Sequence, residues 1–348
     1  MKKALALLLV SLAVVSFSPA RGVAAESQGY LFAVEMVPPA NQIGNLGYYH
    51  IPGQPGEQIT LQAQLTNHTH DSLEIKVVPM NAYSSQSGIF YQSPLEVDAK
   101  AYPLFDEQYG LAQYISQTNP ITLLPDQTQV VSIKVTVPNL TSGTLLGSIR
   151  FVTFAGTQAI QTADPKNQKA QMLIDKYQAI DTAIQIDLPQ PAQPSVAVGN
   201  ATFDGDQIGV RVAITNQAAI IQEKTTGTYE IRDSENALLF SGAIQSFKMA
   251  PMTGFQYPLP WHYKTLAAGT YHLNLTLTVN SHDNSFEKTF TVSQQGIVNA
   301  QQAQEKINPM IQPSFPSWLV VVLEVFVLIT IVFFLKLLRM KHLASRKS

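Results

Sequence analysis

No cysteine occurs in the 348 residues of the chain. Disulfides, thiolate nucleophiles and cysteine-bound metals are therefore excluded, and stability must come from ordinary apolar cores. Charge is scarce as well: Asp, Glu, Lys and Arg make up 13% of the chain and sum to a formal −2. Long stretches of helical period are nearly missing. What takes their place is alternation of apolar and polar residues over short runs bounded by Pro, Gly, Asn and Asp, the pattern of half-buried strands.

Catalytic motifs are also missing. The seven histidines include no HExxH, no glycine-rich phosphate loop follows a strand, and no GxSxG elbow occurs. Ser285 and Lys288 form an SxxK, but on an alternating strand with no companion motif, so chance spacing explains it. His68 and His70 beside Asp71 could hold a metal on a strand edge, although NHTHD reads more simply as a solvated hairpin turn. Asp204 and Asp206 in FDGDQ lack the further oxygen ligands a calcium site needs and read as a turn. The sequence implies no enzyme, no metal and no cofactor.

Two long apolar segments bound the chain. Lys2 and Lys3 precede Ala4–Phe17, and Val23-Ala24-Ala25 has the small residues of a cleavage site, so residues 1–25 read as a signal peptide. Trp318–Leu335 contains one charge, Glu324, and its eighteen residues extend roughly 27 Å as a helix, enough for a bilayer core. Residues 336–348 carry Lys336, Arg339, Lys341, Arg346 and Lys347, the basic cluster expected on the cytoplasmic side. The reading is a single-pass cell-membrane protein with its N-terminal domains outside the cell. An intramembrane acid seeks a polar partner, which makes Glu324 a candidate for helix pairing; the alternative is a tolerated, protonated residue. No LPxTG precedes the helix, and LPDQT at Leu124–Thr128 is internal, so a sortase signal is excluded. With leader, membrane helix and tail set aside, the external part carries about −9, which argues against nucleic acid as a partner.

The external part divides at PQPAQP, Pro189–Pro194, which cannot be a central strand and reads as a stiff linker. Residues 26–190 contain candidate strands at 30–37, 58–66, 73–78, 121–124, 129–137, 145–154 and 179–188. In two of them Ile59, Leu61, Ala63 and Leu65, and Val131, Ile133, Val135 and Val137, share one face. Residues 81–114 form an aromatic-rich loop ending in a short helix near 107–116, and residues 157–177 read as partly helical. Residues 191–293 repeat the strand pattern. ITLQAQLTNHT at 59–69 and IGVRVAITNQA at 208–218 are alternating strands closed by Thr-Asn, an echo that duplication or chance could produce. Residues 294–317, rich in Gln, Asn and Pro, read as a flexible linker. The fold class is all-β: two tandem immunoglobulin-like β-sandwich domains and then one transmembrane α-helix.

Aromatics crowd the loops of the first domain. Tyr48, Tyr49, Tyr83, Tyr91, Tyr102 and Tyr109 are candidates to stack on sugar rings, with local core as the competing use.

The first domain resembles the WxL-interacting proteins of Gram-positive bacteria. The match runs through Pro39, Asn41 and Gln42, then Gly47, Tyr48 and Tyr49, then Pro55 and Gly56, and later through PITLLPDQTQVVSIKVTVPNLTSGTLLGSIRF. The second domain resembles that family's other module in YQAIDTAIQIDL, KMAPMTGFQYPLP and LAAGTYHLNLTLTV. The resemblance implies a peptidoglycan-binding first domain, with Asn41 and Gln42 joining the aromatic candidates, and a second domain that binds host proteins such as those of the extracellular matrix. It also implies secreted WxL-domain surface proteins as partners. The chain itself has no WxL motif, since Trp261 precedes His262-Tyr263 and Trp318 directly precedes Leu319. A non-enzymatic adhesion adaptor is the reading that follows. A membrane-tethered assembly chaperone and a wall hydrolase with an unrecognised site remain the alternatives.

Overall fold

The computed structural model describes residues 29–163, 169–262 and 265–307. Nine strands form the first module: β1 (Phe32–Val37), β2 (Tyr49–Pro52), β3 (Gln58–Asn67), β4 (Leu73–Ser85), β5 (Gly88–Gln92), β6 (Ile121–Leu123), β7 (Thr128–Thr136), β8 (Thr144–Ala163) and β9 (Lys169–Asp187). One sheet has the order β1-β3-β7. The other has the order β2-β9-β8-β4-β5, with β6 on the start of β4. Ile59, Leu61, Ala63 and Leu65 of β3 alternate buried with exposed neighbours and meet Ile149, Phe151, Ile184 and Ile186 in one core. That is the burial their period-two spacing predicts.

The second module contains β10 (Val196–Asp204), β11 (Gly209–Asn216), β12 (Gln222–Arg232), β13 (Leu238–Met249), β14 (Gly254–Pro260), β15 (Gly269–Val279) and β16 (His282–Val292), followed by helix α1 (Gln294–Ile307). Its sheets are β10-β11-β14 and β13-β12-β15-β16, around a core that includes Ile214, Ile231, Leu273 and Phe290. Apart from β2 and β6, which have no counterpart, this is the order of the first module: β1, β3 and β7 correspond to β10, β11 and β14, and β9-β8-β4-β5 corresponds to β16-β15-β12-β13. The Thr-Asn echo falls at equivalent places, the ends of the two central strands β3 and β11. Asn67 Nδ2 donates to the carbonyls of Asp71 and Leu124, and Asn216 Nδ2 to those of Ile220 and Ala250; each Oδ1 accepts from the backbone N–H two residues on. A shared topology with a shared internal plug favours duplication over chance.

The all-β expectation holds, with corrections in three segments. Within the segment 157–177, expected to be partly helical, residues 157–163 and 169–177 are strand: the β8–β9 ladder continues through Ala163↔Lys169, so strand pairing overrides a composition rich in Ala, Gln and Lys. The helix expected near 107–116 is a pair of 3₁₀ turns, Glu107–Tyr109 and Leu111–Tyr114. Residues 294–307 are helical instead of coil, because Ser293 Oγ accepts from Gly296 N–H at the helix start and Ala300 is buried. Close packing holds this helix in place: a Cβ on Gly205 would meet the Gly296 carbonyl. Among the described residues no helix is long and apolar enough to cross a membrane. The expected signal peptide, the membrane helix with Glu324, and the basic tail lie outside the described residues.

Candidate functional site

A cleft of about 550 Å³ opens beside the β4–β5 hairpin of the first module, roofed by residues 93–117. Local hydrogen bonds shape that roof. Asp98 Oδ1 accepts from Lys100 N–H at 3.0 Å and Asp106 Oδ1 from Gln108 N–H at 3.0 Å, each closing a tight turn. Buried Asn81 of β4 accepts from Ala112 N–H at 2.8 Å, which ties the second 3₁₀ turn to the sheet. Gly110 permits this approach, since a Cβ there would crowd Asn81 Nδ2 at 2.9 Å and the end of Leu104 at 3.0 Å. The cleft is lined by Asn81, Tyr83, Leu95, Tyr102, Glu107 and Gln113 among others. Leu95 is 95% exposed at its rim. Amide, carboxylate and phenol groups beside apolar walls can hold a polar ligand that also carries apolar faces, as sugars do.

The sequence candidates separate into groups. Tyr83 and Tyr102 both line the cleft, and Phe90 lies between them: its ring centroid is 5.7 Å from Tyr83 and 4.9 Å, edge-on, from Tyr102. Tyr83 is nevertheless only 3% exposed, and Tyr102 also packs against the core of the second module. Burial raises the Tyr83 phenol, partly offset by a hydrogen bond with Asn81. Tyr48 and Tyr91 lie elsewhere, Tyr48 against His50 beside β2 and Tyr91 on β5 next to Arg150. Burial, with Tyr48 and Asp181 nearby, pushes the Tyr91 phenol up to about 12. Tyr48 also stacks on His50 at 6.4 Å, and His50 Nε2 lies 2.7 Å from Asp187. Arg150 grips Asp181 through two contacts of 2.7 Å, and this pairing raises the guanidinium.

Other candidates serve the frame. Tyr49 is 1% exposed, its hydroxyl donates to the Gln62 carbonyl at 2.7 Å, and burial raises its phenol well above the usual range. It offers no ring face to a ligand. Gln42 braces the loop before β2, donating to Tyr48 O at 3.0 Å and accepting from His50 N–H at 3.2 Å. Asn41 is exposed beside it. Tyr109 donates to Ser142 O at 3.0 Å. Ser285 and Lys288 are odd and even residues of β16 and so lie on opposite faces, unable to work as a pair. Among the described residues no group of three or more His, Asp or Glu could hold a metal. Leu95, Glu107 and Gln113 carry no motif in the sequence; only the fold of residues 93–117 brings them together.

The cleft also adjoins the second module. Ala250 N–H donates to Ser84 Oγ at 2.9 Å, Ser84 Oγ–H to Thr253 Oγ1 at 2.5 Å, and Thr253 Oγ1–H to Ala250 O at 2.8 Å, a closed ring of buried hydrogen bonds between modules. Leu104, on the cleft wall, forms a β-bridge with Thr253. Gly143 N–H donates to the Gln190 carbonyl and Thr144 N–H to that of Ala219, so the Pro-rich linker is held down on one side.

Two family models match the chain: "WxL Interacting Protein, peptidoglycan binding domain" over residues 32–153 and "WxL Interacting Protein, host binding domain" over residues 182–302. The chain belongs to the WxL-interacting protein family. Both modules of the family occur here, in the order the sequence reading expected. The second match begins inside β9, whose Ile184 and Ile186 are buried in the first core, so structural and family boundaries differ by a strand end. Residues 154–181 lie between the matches.

No curated protein matches the chain. Among solved structures, a chaperone–tip adhesin complex of CFA/I fimbriae is 11% identical, covers 74% of this chain and 98% of its own, and has a TM-score of 0.32. The class 5 fimbriae chaperone CfaA is 10% identical over 74% of this chain and 99% of its own, with a TM-score of 0.30. The CsuC–CsuE pre-assembly complex of Acinetobacter baumannii is 10% identical over 69% and 94%, with a TM-score of 0.26. Similarity this low carries no argument about function.

Proposed function

We propose that this WxL-interacting protein is a non-enzymatic cell-surface adaptor whose first module holds peptidoglycan and whose second module engages host proteins. The pair of family matches, 32–153 and 182–302, is the observation that carries this reading. The cleft beneath residues 93–117 suits a glycan strand, since it combines amide and carboxylate groups with apolar walls. Secreted WxL-domain proteins are the further partners. A membrane helix at 318–335 would fix the chain to the cell while the modules reach outward through the wall.

Co-sedimentation of the detergent-solubilised full chain with purified sacculi tests the proposal. Retention of the wild type is the expected result, with about tenfold weaker retention of Leu95→Asp, which sets a charge at an exposed apolar rim. Failure of the wild type to sediment overturns the peptidoglycan role. Release of soluble fragments from labelled sacculi overturns the non-enzymatic one.

A further inference from the structure

β8 and β9 run on past the strands that brace them. β4 covers β8 as far as the pair Lys76↔Val152, and β2 covers β9 only over Ile184–Asp187. Among the described residues, the backbone ladder from Thr153 and Gln178 outward joins only the two strands to each other. This arm begins where the peptidoglycan-binding match ends, at residue 153. At its root sits the cross-strand pair Phe154↔Tyr177, with ring centroids 5.6 Å apart in an edge-to-face arrangement. Both rings are open to solvent, 51% exposed for Phe154 and 63% for Tyr177.

A register shift follows at once, between Phe154 and Gly156. Gly156 has φ +102°, which favours glycine, and the shift bends the ribbon at this point. The rings form one wall of a groove of about 340 Å³ whose other wall is Ser72 and the start of β4, including Glu74 and Lys76. Thr153 donates to the Glu74 carbonyl at 2.8 Å and so fixes one wall to the other. The Glu74 and Lys76 side chains are exposed beside the rings. No residue of this groove lines the cleft at Asn81.

We propose that this groove is a second glycan subsite, one that takes an N-acetylated hexosamine unit. A pyranose has an apolar C–H face, which Tyr177 and Phe154 can carry, and an edge of hydroxyl and amide groups, which Glu74 can accept from and Lys76 can donate to. Lys76 also suits a sugar-borne carboxylate. Glycan is favoured over a protein partner because the β4 wall and residues 152–153 belong to the peptidoglycan-binding match, and because one carboxylate and one ammonium flank open ring faces. The inference rests on the wall-binding reading and adds a site and a sugar class to it. The cleft and the groove together would hold one glycan strand at two points, which raises retention through effective concentration.

The test uses the full chain in detergent, titrated calorimetrically with soluble N-acetylglucosamine oligomers and sedimented with sacculi. Phe154→Ala/Tyr177→Ala removes two exposed rings, and circular dichroism and the unfolding midpoint confirm that the fold is kept. At least tenfold weaker oligomer binding is expected, with Tyr177→Phe close to wild type because the ring is retained. Undiminished oligomer and sacculus binding by the double variant overturns this inference alone and leaves the wall-binding reading intact. Loss of a co-purifying protein with glycan binding unchanged also overturns it, making the groove a protein surface. Absence of wild-type binding to sacculi and oligomers overturns both readings.

Discussion

Asn67 and Asn216 each close a turn from within, and both are essentially buried, at 1% and 0% exposure. Asn216 makes four hydrogen bonds: to the carbonyls of Ile220 and Ala250, and from Ala218 N–H and the Gln222 side chain. Asn216→Ala would take this partner from the Ile220 carbonyl, the Ala218 N–H and the Gln222 amide, while the Ala250 carbonyl keeps its bond from Thr253 Oγ1, so a loss of about 2–4 kcal/mol in stability is expected, measured by urea unfolding. Asn67→Ala should behave alike, since its amide and carbonyl meet the same kinds of partner. Part of this was legible in the sequence, because both asparagines close alternating strands with Thr-Asn. Their role was not: Leu124 and Ala250 lie 57 and 34 residues further on, and nothing local marks them. The aromatic candidates show the same division. Spacing reveals that Tyr49 and Tyr83 are aromatic and lie near turns, but burial depends on which strand lies across from them.

At the scale of elements, legibility follows period and length. β3, β7, β11 and β15 alternate over many residues, and their buried faces can be read directly. β2 could not be recognised, because it has four residues and exists through parallel pairing with Ile184–Asp187 far along the chain. The outer parts of β8 and β9 were obscured by helix-favouring composition, which pairing overrides. The cleft roof was legible as an aromatic loop with tyrosines suited to a sugar, but its shape was not, since that depends on contacts such as that of Gly147 beneath the second 3₁₀ turn. A Cβ at Gly147 would lie 2.5 Å from the Met80 carbonyl and 2.9 Å from Leu111 Cβ. Gly147→Ala must therefore strain the β4–β8 pairing at Met80 and crowd Leu111 of the roof, and a loss of about 1–3 kcal/mol is expected by calorimetry, with weaker sacculus retention as the roof shifts.

At the scale of the molecule, the two modules share a strand order and also a contact, formed by the Ser84–Thr253–Ala250 ring and the Leu104 bridge. A Pro-rich linker in the sequence suggests only that the modules are separate; the polar ring, whose side chains lie 169 residues apart, could not have been read from it. Thr253→Val keeps the shape but leaves the Ser84 hydroxyl without its acceptor and the Ala250 carbonyl without that donor, at a cost of about 1–3 kcal/mol. The expected calorimetric outcome is a change from one unfolding transition to two, and an unaltered single transition would show that the ring does not couple the modules. The placement of β9 has a mechanical consequence. Tension drawn through the linker enters β9 at Asp187 and runs along its axis, where the ladders to β8 and β2 resist it in shear, many bonds at once, instead of peeling apart one by one. Resistance to pulling is set by the rate of unfolding under load and not by equilibrium stability, so this strand would govern how long the first module survives a pull applied through the linker.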